Sequence, residues 1–224
     1  MVKVEGTCIE KTQSFKYLGV TFNQSMSWAD HIDAISTKIN QRIGLIRNVL
    51  PLQTRVTLYN TLILPLFDYG DVIWGDKNKD TIMSELQILQ NKAAKVLLGQ
   101  PPRSSSTEAL RSLDLKSLSA RRFFHRCIAI HKCLIGETDF NFNFIKNQTV
   151  HSYNTRRSND LRLPLPRTNW GKQKFIYRAP KDWNSLPTDL KETHLLSIFK
   201  SKLKTFLIRL WLILNFDISI SYRF

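Results

Sequence analysis

The chain has few cysteines, no two adjacent aspartates and no long apolar run, and each absence removes a class of function. Three cysteines, Cys8, Cys127 and Cys133, are too few, and odd in number, for a secreted disulfide framework. A reducing intracellular compartment, cytoplasm or nucleus, is expected. The N-terminus is polar and carries no signal-peptide pattern. The closest approach to a membrane span, Thr205 to Phe216, is broken by Arg209 and is shorter than the roughly 18 apolar residues a spanning helix needs. No phosphate-cradling glycine loop and no G-x-S-x-G nucleophile turn occurs.

Two-metal chemistry needs carboxylates packed around ions about 4 Å apart. The nearest candidates here are Asp30/Asp33 and Asp68/Asp71. The first pair sits where a helix should begin, a position that favours negative charge for its own sake. The second flanks a turn glycine. Both are read as structural. The cluster His125-x-Cys127-x3-His131-x-Cys133 offers four zinc-type ligands in nine residues. On a helix Cys127 and His131 share a face, while His125 and Cys133 point elsewhere. The four cannot converge on one ion, and no metal site is expected.

Acidic residues thin out along the chain relative to basic ones. The net charge is +15, of which residues 1–100 contribute +2 and residues 101–224 contribute +13. A chain this basic points to a polyanionic partner, and that partner's site belongs mainly to the second half. Residues 146–181 hold nine Lys/Arg and a single acid, Asp160. Tyr153, Trp170, Phe175 and Tyr177 are interleaved with them. Cations release counterions from phosphates, and aromatics stack on unpaired bases. The other reading is a solvated loop whose aromatics anchor it to a helical core.

Hydropathy predicts a mostly helical chain. Ser14 to Asn23 favours short strands or a bent hairpin. Ile32, Ile35, Ile39, Ile43 and Ile46 recur at three and four, predicting a helix from Trp28 to Leu50 capped by Ser27. A second helix is expected from Pro51, with Val56, Tyr59, Leu62, Ile63 and Leu66 inward and Pro65 kinking it. A third runs from Asp80 to Leu98. A brief helix follows at Thr107 to Leu113, capped by Ser106 or Thr107, and a longer one from Ser117 to Ile135. An amphipathic helix closes the chain, Leu195 to Asn215, mixing Ile198, Phe199, Leu203 and Phe206 with Lys200, Lys202, Lys204 and Arg209.

Several ordered motifs resemble one family. Phe15-Lys16-Tyr17-Leu18-Gly19-Val20, then Trp28 and His31-Ile32, resembles the segment after the catalytic palm in reverse transcriptases of non-LTR retrotransposons, the jockey-like group in particular. Arg55 to Tyr59, Pro65, Tyr69-Gly70, Ile73-Trp74-Gly75 and Leu89-Gln90-x2-Ala93 resemble the thumb of such enzymes. Tyr177 to Pro187, with its Trp183-Asn184-Ser185-Leu186-Pro187 run, and Phe199-Lys200 resemble their C-terminal tail. The similarity covers residues 10–207.

The resemblance implies a mainly α fold: a helical thumb-like bundle after a short β-hairpin, a basic irregular or β segment, and a C-terminal amphipathic helix. The expected divisions are 1–25, 26–136, 137–194 and 195–224. It implies RNA and RNA–DNA hybrid as partners, and the polymerase's fingers and palm as a further one. The nucleic-acid contacts are assigned to Tyr17, Leu18, Gly19, Lys38, Arg42, Arg156, Arg157, Arg167, Lys172, Lys174 and Arg178. The family's paired palm aspartates are absent from this sequence, so catalysis is not carried over. Mg2+ is expected only for the palm, and the chain is read as a fragment beginning at an internal Met1. The alternative is a non-catalytic helical interaction module.

Overall fold

The computed structural model describes residues 2–4, 7–9, 12–25, 27–46, 50–75, 81–138, 142, 144–149, 158–168 and 171–220. It is mainly helical, with short antiparallel hairpins at the N-terminus. Two compact units divide between Leu118 and Ser119.

In the N-terminal unit β1 (Val2–Val4) pairs with β2 (Thr7–Ile9), a hairpin the sequence reading did not anticipate. β3 (Ser14–Tyr17) pairs with β4 (Val20–Asn23), with Tyr17 opposite Val20 and Phe15 opposite Phe22. The turn between them is only Leu18-Gly19. Both residues have positive φ, 45° and 81°, as the tight turn that matches strand twist requires. Glycine adopts this freely; leucine does so at a cost of about 1–2 kcal/mol.

Helix α1 (Ala29–Leu45) buries Ile32, Ile35, Ile39 and Ile43, the stripe the spacing predicts. Its start differs from expectation. Trp28, at φ 61°, is the cap residue and gives no side-chain cap bond. Ser27 is occupied elsewhere: its hydroxyl accepts from Asn23 Nδ2 at 2.7 Å, and its N–H donates to Asn23 Oδ1 at 2.9 Å. The helix also ends before the expected Leu50.

After Pro51 come α2 (Leu52–Leu58), a π-helical turn (Tyr59–Ile63) and α3 (Leu64–Asp68). Pro65 explains the π turn. A proline has no N–H for the carbonyl four residues back, and its ring crowds that carbonyl. Widening the preceding turn relieves the conflict. The extra residue per turn puts Tyr59, Ile63 and Phe67 inward and leaves Leu62 exposed, contrary to its predicted inward position. α4 (Asp71–Trp74) buries Trp74, whose indole N–H donates to the Tyr69 carbonyl at 2.9 Å.

Helix α5 (Thr81–Leu98) adds Leu86, Leu89, Ala93 and Leu97 to the same core. Gln90, fully buried, belongs to a polar seam. Its amide donates to the Lys116 carbonyl at 3.0 Å, and Gln87 Nε2 donates to Gln90 Oε1 at 2.8 Å. Gln87 Oε1 in turn accepts the Leu118 N–H at 2.9 Å. The seam satisfies backbone groups that water cannot reach. α6 (Ser106–Ser112) is capped by Ser105, one residue earlier than predicted, through the Glu108 N–H.

The C-terminal unit is built from α7 (Leu118–Leu134), α8 (Phe175–Asn184), α9 (Thr188–Lys191) and α10 (Leu196–Ile220). Its core is Cys127, Ile130, Leu161, Ala179, Trp183, Leu186, Leu190, Phe199 and Leu203. α7 packs with these residues, and the two compact units divide at its start. Among the described residues of 137–194 lie α8 and α9. Pro180 is tolerated within α8, and Phe175, Ala179 and Trp183 repeat at i, i+4, i+8 on its inner side. α10 extends five residues beyond the predicted end, and its Ile198 is exposed rather than packed inward. No helix among the described residues is long and apolar enough to cross a membrane.

Candidate nucleic-acid interface

The hairpin tip places three of the assigned residues together at the surface. Tyr17 and Leu18 are 59% and 72% exposed, and neighbouring Phe15 is 61% exposed. That much apolar surface on a two-residue turn is unusual for a strand with a core beneath it. Tyr69 supports the turn: its hydroxyl donates to the Leu18 carbonyl at 2.6 Å, and its ring lies 3.2 Å from where a Cβ on Gly19 would be. A side chain at Gly19 would therefore meet both positive φ and a crowded ring. Gly70, at φ 65°, lets the chain pass beside Val20.

Lys38 and Arg42 lie one turn apart on α1 and share a side. Lys38 is exposed. The Arg42 guanidinium donates to the Leu62 carbonyl and so braces α1 against the π turn. Behind this surface sits His31, buried, with Nδ1 accepting the Thr21 N–H at 3.3 Å and its ring 5.2 Å from Trp74. Burial, reinforced by Lys38 and Lys16, holds its imidazole below the usual histidine range.

In the C-terminal unit Arg167, Lys172 and Lys174 are exposed and Arg178 is half-buried. They bracket the 3-10 turn Gly171–Gln173 and the first turn of α8, with Lys174 at its N-cap. Helix N-termini favour anions. Arg156, Arg157, Tyr153 and Trp170 lie outside the described residues. Phe175 is not a free stacking platform. It packs on the core and meets Phe142 and Phe144 at 5.4 and 6.4 Å, so it anchors the segment.

The tail run beginning at Trp183 has a structural job. Trp183 and Leu186 fill the core. Asn184 imitates a strand partner: its Oδ1 accepts the Leu161 N–H and its Nδ2 donates to the Leu161 carbonyl, both at 2.8 Å. Ser185 Oγ donates to the Asp182 carbonyl at 2.6 Å, and Pro187 precedes α9. Nothing in the run itself shows its clamp on Leu161, 23 residues away in sequence.

The His/Cys cluster does not assemble as metal ligands. Cys127 is fully buried, and burial, aided by the Asp182 carboxylate against Arg126, pushes its thiol well above the usual range. His131 stacks on Phe199 at 4.1 Å with Nε2 2.7 Å from the Thr193 carbonyl. Among the acids, Asp30 and Asp33 are exposed on the first turns of α1, while Asp68 and Asp71 are engaged within the chain.

Both buried histidines titrate low in the fold. His131 is lowered by burial and by His194, against the Thr193 carbonyl and Glu137. The unfolded chain then binds more protons below the ordinary value of 6.5. Stability is full above 6.5 and falls as pH drops through 6.5 toward the folded values. Urea midpoints at pH 7.5 and 5.0 should show that loss. His31→Asn, whose side-chain oxygen can replace Nδ1, should shrink it; an unchanged pH response would mean His31 does not titrate.

Comparison with known proteins finds sequence similarity to one group. The chain is 27% identical over 123 residues to the probable RNA-directed DNA polymerase from transposon BS of Drosophila melanogaster, covering 52% of this chain and 14% of that protein. It is 29% identical over 123 residues to the RNA-directed DNA polymerase from mobile element jockey of Drosophila melanogaster, covering 52% and 13%. It is 32% identical over 117 residues to the retrovirus-related Pol polyprotein from type-1 retrotransposable element R1 of Nasonia vitripennis, covering 49% and 35%. The chain thus spans a minor part of these relatives. No family model matches it, and no solved structure does. It resembles the RNA-directed DNA polymerases of jockey-like and other non-LTR retrotransposons over about half its length.

Proposed function

We propose that the chain serves such a polymerase as a non-catalytic, backbone-gripping element that binds RNA or an RNA–DNA template–primer. The observation that carries this reading is the exposed, strained hairpin tip. Leu18 stays in a left-handed conformation that costs stability and still leaves most of its side chain in solvent. Strain of that kind is retained where an outside contact uses it. Tyr17 and Leu18 pack on the sugar–base edge near a primer end, and Lys38 lies on the neighbouring helix for phosphate. In the other unit, the basic segment from Arg156 to Arg178 adds phosphate contacts. Sequence preference is not expected, because phosphate contacts position a protein without reading bases.

The test is polarisation binding of the full chain to a labelled RNA–DNA hybrid, comparing the unaltered protein with Leu18→Asn and Tyr17→Ala. Asparagine tolerates the left-handed turn, so Leu18→Asn should gain up to about 1 kcal/mol of stability. It should at the same time weaken hybrid binding severalfold. Tyr17→Ala should cost about tenfold, the low end for losing one aromatic–base contact. A folded protein that ignores the hybrid at low salt would leave the helical-module alternative.

A further inference from the structure

The C-terminal unit contains a cavity of about 360 Å³ lined by none of the residues assigned above to nucleic-acid contact. His131, Leu134, Ile135, Lys146, Asn159 and Trp183 line most of it, and Lys191 to His194 complete the wall. It is within the size range of small-ligand pockets. The bridge from Lys146 to Leu161 and the Asn184 clamp on Leu161 hold its floor.

Its polar groups specify a ligand. His131 is 2% exposed and its Nδ1 has no hydrogen-bond partner among the described residues. Its Nε2 faces the Thr193 carbonyl, which can only accept, so Nε2 carries the proton and Nδ1 presents a lone pair. Burial holds the ring neutral, which keeps that lone pair available. An acceptor left unsatisfied inside a protein costs stability unless something donates to it. Lys191 is already committed, with Nζ 2.7 Å from Asp160 and 3.0 Å from the Asn184 carbonyl. Lys146 also lines the cavity and brings a positive charge to it. Glu192, exposed at the rim, carries the opposite charge. The lining therefore suits one phosphate rather than several. Leu134, Ile135 and Trp183 supply an apolar wall of the sort a base packs on.

We infer that this cavity is a site for a single nucleotide monophosphate, with its phosphate at Lys146 and an N–H or O–H of its base or sugar donated to His131 Nδ1. The nucleotide is either free or one unstacked residue of an RNA strand; the chemistry is the same.

The full chain is titrated with the four ribonucleoside 5′-monophosphates, with inorganic phosphate, and with a single-stranded RNA dodecamer. Binding is read by calorimetry and by the histidine ring 15N shifts. At least one monophosphate should move the His131 Nδ1 resonance, and Lys146→Gln should weaken its binding about tenfold, the scale of one charge-assisted hydrogen bond. Asn159→Ala, which removes an amide from the lining, should weaken it as well. A shift produced by the RNA alone, with the same Lys146 dependence, places the nucleotide in a strand and also upholds the site. The inference is overturned if no probe moves His131 Nδ1, or if phosphate alone accounts for the binding. The Nδ1 shift is measured in the unaltered chain, so it stands even if a variant folds poorly. Failure of hybrid binding leaves this outcome untouched, because none of the residues assigned to the hybrid lines the cavity.

Discussion

Hybrid binding to the full chain should weaken by about a thousandfold between roughly 50 and 200 mM salt. The figure follows from six cations of the C-terminal unit, Arg156, Arg157, Arg167, Lys172, Lys174 and Arg178. If each neutralises one phosphate, the slope of log K against log salt is about −5. The count covers the C-terminal unit alone and therefore excludes Lys38 and Arg42 of the other unit. Replacing Arg156 and Arg157 together by alanine should reduce the slope by about 1–2, and replacing Lys172 and Lys174 should do the same. The losses should be nearly equal for hybrids of different sequence, since phosphates carry no sequence. A slope near −1 for the unaltered chain would sink the idea that this segment lies along a backbone. An unchanged slope in one double variant would remove only that pair from the contact surface.

Phe199→Ala should destabilise the C-terminal unit by about 3–5 kcal/mol. Phe199 is fully buried, stacks on His131 at 4.1 Å and lies 5.6 Å from Trp183. Removing the ring empties a place bounded by α7, α8 and α10, and close-packed neighbours refill such a space only in part. A loss of this size is a large fraction of an ordinary domain's stability. Hydrogen exchange resolves it: protection should fall in α7 around Cys127 to Ile130 and in α8 around Ala179 to Trp183. A loss under about 1 kcal/mol would mean that Phe199 is not central to the core. Phe199→Leu, which keeps most of the volume, should recover a good part of the difference.

The helical periodicities were legible because each reports one face of one element. The isoleucines of α1 and the leucines of α5 fall on their inner sides as spacing required. The Leu18-Gly19 hairpin was readable from β-branched and aromatic residues around a glycine. Partner choice was less readable. Ser27 looked like a cap, but the Asn23 turn claimed its hydroxyl. Leu62 looked internal until the π turn ahead of Pro65 rotated it outward. Phe175 looked like a stacking residue and proved to be an anchor beside Phe142. In each case two local roles were open, and contacts distant in sequence chose between them.

The sequence alone determined the helical class, the basic character of the second half, the lack of adjacent aspartates and the ordered motifs shared with retrotransposon polymerases. These depend on composition and on spacing within one element, which a linear chain displays directly. Tertiary structure alone decided that Asn184 clamps Leu161, that α7 belongs to the second core, and that Lys146, Trp183 and a half-satisfied His131 surround one cavity. Those facts join residues up to dozens of positions apart. Side-chain packing, not local propensity, brings them together, so no window of the sequence contains them.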